Sequence, residues 1–188
     1  MSMLQEALSS ESWSRSPVLE RVKDLALAPR HQSSVGEAIV YGIAAGIVGT
    51  VALNIANAIE QRLTGRPNSY VPGHTFQRLL HLEEKPDADS GPANTAFQWG
   101  IGAMSGALRG VMSQAGMRGP YATFIHLAAR VCTDQSLENI ANRSSAPWTW
   151  PYDEQVLDMA HKGAYAIVTG MITDRLVYSS RAAASNRR

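Results

Sequence analysis

Two long uncharged stretches dominate the pattern of apolar and polar positions along this chain. The first covers residues 38–59, AIVYGIAAGIVGTVALNIANAI, and the second covers residues 91–108. A helix of about 20 predominantly apolar residues has the length that crosses the hydrocarbon core of a bilayer. The pattern therefore predicts two membrane-spanning helices, over about residues 36–60 and 92–115.

Glycines recur within both predicted helices at intervals that place them on one helix face. Small residues at four-residue spacing let helices in lipid approach closely, because no side chain separates their backbones. We therefore predict that the two helices pack through glycine-rich faces. The glycines concerned are Gly42, Gly46 and Gly49 in the first helix and Gly102, Gly106 and Gly110 in the second.

Two less apolar helices are predicted downstream, over about residues 120–139 and 154–178. The short connection at residues 116–120, GMRGP, favours a third helix antiparallel to the second. The pattern thus predicts an all-α protein. Its core is a four-helix transmembrane bundle over residues 35–178, with a polar tail at residues 1–34 and a basic tail at residues 179–188.

Shorter segments add detail to this architecture. An amphipathic pattern over residues 18–27 is typical of a surface helix or of a loosely attached tail, and a second short helix is predicted over residues 75–82. Residues 144–152, SSAPWTWPY, form an aromatic loop, which suits the membrane–water interface because Trp and Tyr concentrate there.

The positions of lysine and arginine predict the orientation. Four crossings place both termini on the same side of the membrane. The two tails and the Arg118 turn on that side together carry about nine of these residues, against about five in the loops on the opposite side. Cytoplasmic segments carry such an excess in membrane proteins. We therefore expect a multi-pass protein with both termini in the cytoplasm.

Composition changes this picture in two respects. The net charge of +1 over 188 residues gives no electrostatic attraction for nucleic acid, so none is expected as a partner. The mean hydropathy of -0.15 is low for a membrane protein, which keeps a water-soluble helical bundle open as an alternative. We expect the lipid bilayer as partner and no cofactor or metal, and the sequence is compatible with a homo-oligomer.

Four short segments resemble the YagU-like group of small inner-membrane proteins. They are residues 42–54 (GIAAGIVGTVALN), residues 64–67 (TGRP) with Ser69 and Pro72, residues 97–102 (FQWGIG) and residues 160–165 (AHKGAY). The resemblance implies a helical membrane bundle over about residues 36–178. It implies no particular activity.

Charged and titratable residues inside the predicted helices are the candidates for chemistry. A charge at membrane depth is costly enough to indicate function, although Arg109 lies close enough to a helix end to reach the interface with its long side chain. The four-residue spacing of a stripe on the third helix places its members on one face, either towards a cavity or on a solvated helix end. The candidate catalytic residues are Arg109, His126, Asp134, Glu138 and His161.

The sequence leaves three functional hypotheses. The first is an integral membrane protein of unknown role with a hydrophobic small molecule as its candidate ligand. The second is a small membrane-embedded isomerase, cyclase or hydrolase of a lipid or secondary-metabolite pathway, in which the five candidates line one pocket. The third is the soluble bundle. The G-x-S-x-G, Walker and C-x-x-C motifs do not occur in the sequence. The protein classes that these three motifs mark are therefore not indicated.

Overall fold

Helices make up almost all of residues 34–142 and 151–185, the parts of the chain that the computed structural model describes. Side chains are described up to residue 177. No strand occurs in these ranges, so the all-α prediction is confirmed for them. The predicted surface helix at residues 18–27 and both tryptophans of the aromatic loop lie outside the described residues.

The described helices follow the predicted order. They are α1 (Val35–Thr64), α2 (Val71–Leu79), a single 3-10 turn (Asp87–Asp89), α3 (Gly91–Gln114), α4 (Gly119–Ile140) and α5 (Tyr152–Ser185).

Several helix boundaries differ from the prediction. Helix α1 continues to Thr64, four residues past its predicted end, and helix α2 ends at Leu79, three residues before its predicted end. Helix α2 starts at Val71, before the predicted residue 75. Pro72 is its second residue, and the fixed φ of proline suits the first turn of a helix. Helix α5 continues past residue 178 into the segment predicted as a tail. The sequence there, SSRAAAS, contains strong helix formers and no Gly or Pro to end the helix.

Helix α1 has well-defined ends. The hydroxyl of Ser34 accepts a hydrogen bond from the backbone N–H of Glu37 at 3.1 Å, and the Glu37 carboxylate accepts one from the Ser34 N–H at 3.0 Å. This capping box satisfies two N–H groups that the helix itself leaves without partners. At the other end Gly65 takes a left-handed conformation with φ 70° and closes the last turn.

The backbones of α1 and α3 touch along the predicted glycine faces. A Cβ atom added to Gly106 would lie 2.7 Å from the Cα of Gly46, and one added to Gly42 would lie 3.0 Å from the Cα of Gly110. Gly46 also meets the carbonyl of Gly102. Since later residues of α1 meet earlier residues of α3, the two helices are antiparallel.

Two further glycines make room for large polar side chains instead of backbone. A Cβ on Gly49 of α1 would lie 2.9 Å from Cδ2 of Tyr165 on α5. A Cβ on Gly170 of α5 would lie 2.8 Å from the Thr123 hydroxyl and 3.4 Å from Nε of Arg109. Glycine in this bundle therefore sets both the helix spacing and the space for polar groups.

Large polar side chains are buried inside this bundle, and many large apolar side chains are exposed on its surface. The three largest fully buried side chains are Arg109, Tyr165 and His126, whereas Phe124 and Met104 are each 69% exposed. Among the described helices, α1 alone is long and apolar enough on average to span a membrane.

The glycine contact predicts a position-specific effect of one methyl group. Gly106→Ala should lower the free energy of unfolding by about 1–3 kcal/mol, because the new Cβ meets the backbone of α1 and forces the helices apart. The measurement is denaturant unfolding in mild detergent, followed by helical circular dichroism.

Gly100→Ala on the same helix is the matched control. No atom lies within 4 Å of a Cβ at Gly100, so alanine should leave stability unchanged or raise it by up to about 1 kcal/mol through its helix propensity. Equal losses in the two variants would contradict the proposed contact.

Candidate functional site

Arg109 lies at one end of a series of polar groups inside the bundle. Its side chain is fully buried, and Nη2 donates to the Asp174 carboxylate at 2.8 Å. Nη1 donates to the carbonyl of Met117 at 3.2 Å. Arg109 therefore does not reach the interface, which was one of the two expectations for it. It is held inside, between α3, the α3–α4 connection and α5.

Asp174 is a partner that the sequence analysis missed. Its Oδ2 also accepts a hydrogen bond from the N–H of Gly119, the first residue of α4, at 3.0 Å. A carboxylate at this position satisfies a free N–H and interacts favourably with the positive end of the helix dipole. The sequence offered one signal for this pair. Asp174 is a single carboxylate directly after the apolar part of α5, and Arg109 in α3 has no oppositely charged residue within its own helix.

His126 lies in the middle of the bundle, between α3 and α4. Its Nε2 is 2.9 Å from Oγ of Ser105 and 3.0 Å from the Ser105 carbonyl oxygen. Because a carbonyl can only accept, this geometry assigns the proton of the neutral ring to Nε2. Tyr165 packs against the imidazole with ring centroids 5.7 Å apart, and its hydroxyl donates to the carbonyl of Gly102 at 2.6 Å.

A chain of alternating charges continues from Tyr165 towards the other end of the bundle. The guanidinium of Arg130 lies over the Tyr165 ring, 4.7 Å from its centroid. Nε of Arg130 donates to both carboxylate oxygens of Asp134, at 3.1 and 3.0 Å. Nζ of Lys162 lies 3.5 Å from Asp134 and 2.8 Å from Asp158. Arg130, Asp134 and Lys162 are all buried, so α4 and α5 are joined by buried ion pairs.

These charges border a cleft of about 430 Å³ at the end of the bundle opposite Arg109. Its walls come from the C-terminal end of α1, the segment before α2, the first turns of α3, the second half of α4 and the start of α5. The ionisable lining residues are Glu60, Arg66, Arg130, Asp134, Glu138, Glu154, Asp158, His161 and Lys162. Five carboxylates therefore face three cations and one imidazole.

The five sequence-predicted candidates divide between separate places. Asp134, Glu138 and His161 line the cleft. His126 is buried deeper in the bundle, and Arg109 lies at the far end. The shared face of the α4 stripe is confirmed, since His126, Arg130, Asp134 and Glu138 are all buried. They are not side chains of a solvated helix end.

Glu60 is a cleft residue that sequence reasoning did not select. It is the first charge after the uncharged stretch of α1, and it is only 8% exposed. Its Oε1 accepts a hydrogen bond from the Thr64 hydroxyl at 2.8 Å. The position of Glu60 at the edge of that stretch gave no sign of burial, because the neighbours that cover it come from other helices.

Within residues 34–142 and 151–177, no group of three or more His, Cys, Asp and Glu side chains is arranged to hold a metal ion. No family model, curated protein or solved structure matches the chain. The resemblance to the YagU-like group therefore stays a prediction from sequence, and function has to be argued from the geometry.

The Arg109–Asp174 pair predicts a large stability loss from a small change. Asp174→Asn should lower the free energy of unfolding by about 3–5 kcal/mol, because it leaves the buried guanidinium without a counter-charge. The double variant Arg109→Met with Asp174→Asn should lose less than the two single losses added, since neither charge remains. Chemical denaturation in detergent measures all three variants.

Arg78→Gln is the control for this prediction. Arg78 pairs with Glu84 at 3.1 Å, but half of its side chain is exposed, and such surface pairs contribute under about 1 kcal/mol. If Asp174→Asn costs no more than Arg78→Gln, the buried pair is not a stabilising contact.

Proposed function

We propose that this chain is a multi-pass integral membrane protein that binds a small polar molecule in the cleft between its helices. The observation that carries the membrane part is the absence of exposed charge along the central stretches of four helices. Between residues 38–59, 91–117, 119–140 and 156–174, every charged side chain is buried or half-buried. Many exposed positions in the same ranges carry large apolar side chains such as Val40, Phe124 and Ile167, and the exposed polar residues there are uncharged.

The dimensions of this uncharged surface support the same proposal. Helix α4 has 22 residues, which at about 1.5 Å per residue gives roughly 33 Å. The hydrocarbon core of a bilayer is about 30 Å thick. In water such a surface would be a large apolar patch, which soluble monomers rarely expose. In lipid it is the expected exterior, and the polar groups inside find partners among themselves.

The order of the helices supports the predicted orientation. The start of α1, the α3–α4 connection and Asp174 of α5 share one end, and the cleft lies at the other. Under the proposal that both termini are cytoplasmic, the cleft opens towards the opposite side. The predicted family resemblance agrees with such a protein and supplies no activity.

The chemistry of the cleft favours a polar ligand over the hydrophobic one expected from sequence. Its lining is rich in charges and amides, among them Asn57, Asn94 and Gln98. A separate apolar groove of about 480 Å³ lies between α4 and α5, beside exposed Phe124 and Ile167. In a bilayer this groove faces the lipid, whose chains fill it without a specific ligand.

The placement of the candidates favours binding over catalysis. The enzyme hypothesis required five side chains in one pocket, whereas Arg109 and His126 lie away from the cleft and are held by structural contacts. Asp134 is held by Arg130 and Lys162. Its carboxylate is thereby fixed as part of an ion-pair chain, which supports a positioning role.

Membrane integration is tested with the natural single cysteine. Cys132 is exposed on the outer face of α4, at a depth that the proposal places in hydrocarbon. In unsealed membranes, a membrane-impermeant maleimide should leave Cys132 unlabelled until SDS is added, because the reaction needs a hydrated thiolate. The protein should also stay in the pellet after carbonate extraction and float with lipid.

Glu83→Cys in a Cys132→Ser background is the matched control. Glu83 lies in an exposed loop at the cleft end, so its replacement thiol should react at once in the same membranes. Release by carbonate, together with labelling of Cys132 as fast as the control, would instead support the soluble helical bundle.

A further inference from the structure

The cleft contains two oppositely charged side chains that each keep an atom without a protein partner. This inference rests on the proposed function, since it names the class of molecule that the cleft takes. Glu60 and Arg130 both line the cleft and are 8% and 5% exposed. Buried polar atoms are nearly always hydrogen-bonded, so each exception calls for an explanation.

Glu60 uses one of its two carboxylate oxygens. Oε1 accepts from the Thr64 hydroxyl at 2.8 Å, whereas Oε2 has no donor among the described residues. Thr64 lies one turn further along α1, and its hydroxyl also lies 3.0 Å from the Glu60 carbonyl. Glu60 is therefore held by its own helix on one side and keeps its second oxygen for a donor from elsewhere.

Arg130 has a donor nitrogen without a partner among the described residues, which is the complement of the free acceptor on Glu60. Its Nε engages both oxygens of Asp134, in place of the two-nitrogen fork by which arginine usually binds a carboxylate. Nη1 donates to no group in the described part of the chain. The Tyr165 ring fixes the guanidinium plane from one side, so the direction of this N–H is set before any ligand arrives.

Partners already exist for the other buried charges that line the cleft, which are Asp134, Glu138 and Lys162. Lys162 lies between Asp134 and Asp158, so it does not serve as the counter-ion for Glu60. Among the described buried charged side chains of the cleft, Glu60 keeps one unpartnered acceptor and Arg130 keeps one unpartnered donor. An amine alone would satisfy Glu60 and leave Arg130 unpaired, and a carboxylic acid alone would do the reverse.

We propose that the cleft binds a small zwitterion, with its ammonium group at Glu60 and its carboxylate at Nη1 of Arg130. The volume of about 430 Å³ lies within the range of about 300–1,000 Å³ that small-molecule sites occupy. The amide side chains of Asn57 and Gln98 line the same space and supply further hydrogen bonds to an amino-acid-sized ligand.

The test uses a charge-matched panel on the full-length protein in detergent or nanodiscs. The probes are the unbranched ω-amino acids from glycine to 6-aminohexanoate, the common α-amino acids, and the n-alkylamine and n-alkanoate of each chain length. Binding is measured by thermal unfolding and by isothermal titration calorimetry. At least one zwitterion should stabilise the protein, and the amine and acid of the same length should not.

Two glutamate variants locate the site. Glu60→Gln should weaken binding of the active zwitterion by at least about tenfold, because the buried counter-charge is lost. Glu83→Gln makes the same chemical change at an exposed carboxylate that does not line the cleft and should bind with unchanged affinity. Circular dichroism of each variant before titration verifies that it is folded.

Three other outcomes would each contradict the inference. An amine that binds as tightly as the zwitterion defines a cation site, and a panel with no binder excludes the zwitterion class. Equal affinity in Glu60→Gln and Glu83→Gln places the ligand elsewhere. In these cases the membrane part of the proposed function stands if the same preparation floats with lipid, whereas failure to float removes the proposed function itself.

Discussion

The direct contact between the backbones of α1 and α3 is the constraint on which the remaining structure depends. Gly42, Gly46 and Gly106 let the two helices approach until each backbone occupies the space of a missing side chain on the other. This contact needs no hydrophobic side chains, so it works equally in lipid, where van der Waals packing replaces the hydrophobic effect between helices. The outer faces are then left to large apolar residues.

Glycine also leaves space for polar side chains in the interior of the bundle. Gly49 admits Tyr165, and Gly170 admits Arg109 and Thr123. Once inside, each charge needs a partner, because an isolated buried ion costs several kcal/mol or more. Asp174 serves Arg109, and Asp134 serves Arg130 and Lys162. These pairs join α4 and α5 to each other and, through Arg109, to α3. Polar contacts therefore hold these helices together, as apolar packing does in the core of a soluble protein.

Binding is proposed at the end of the bundle where unpartnered charged atoms border a cleft. At the far end Nη1 and Nη2 of Arg109 are paired with the Met117 carbonyl and Asp174, and its Nε, unpartnered among the described residues, lies away from the cleft. Glu60 and Arg130, each with one atom unpartnered in the described part of the chain, line the cleft of about 430 Å³. A site of this kind is pre-organised, since the ion pairs and the Tyr165 ring hold the guanidinium before a ligand binds. Pre-organisation lowers the entropy that binding costs.

The sequence by itself determined the four long helices, the glycine-rich packing faces and the common face of His126, Arg130, Asp134 and Glu138. These features follow from local periodicity, which a helix converts directly into geometry. Only the tertiary structure decided that Asp174 pairs with Arg109, that Glu60 is buried, and that His126 lies apart from the cleft. Each of these depends on which residues distant in the chain are brought together, and a pattern within one helix contains no information about the helices that will cover it.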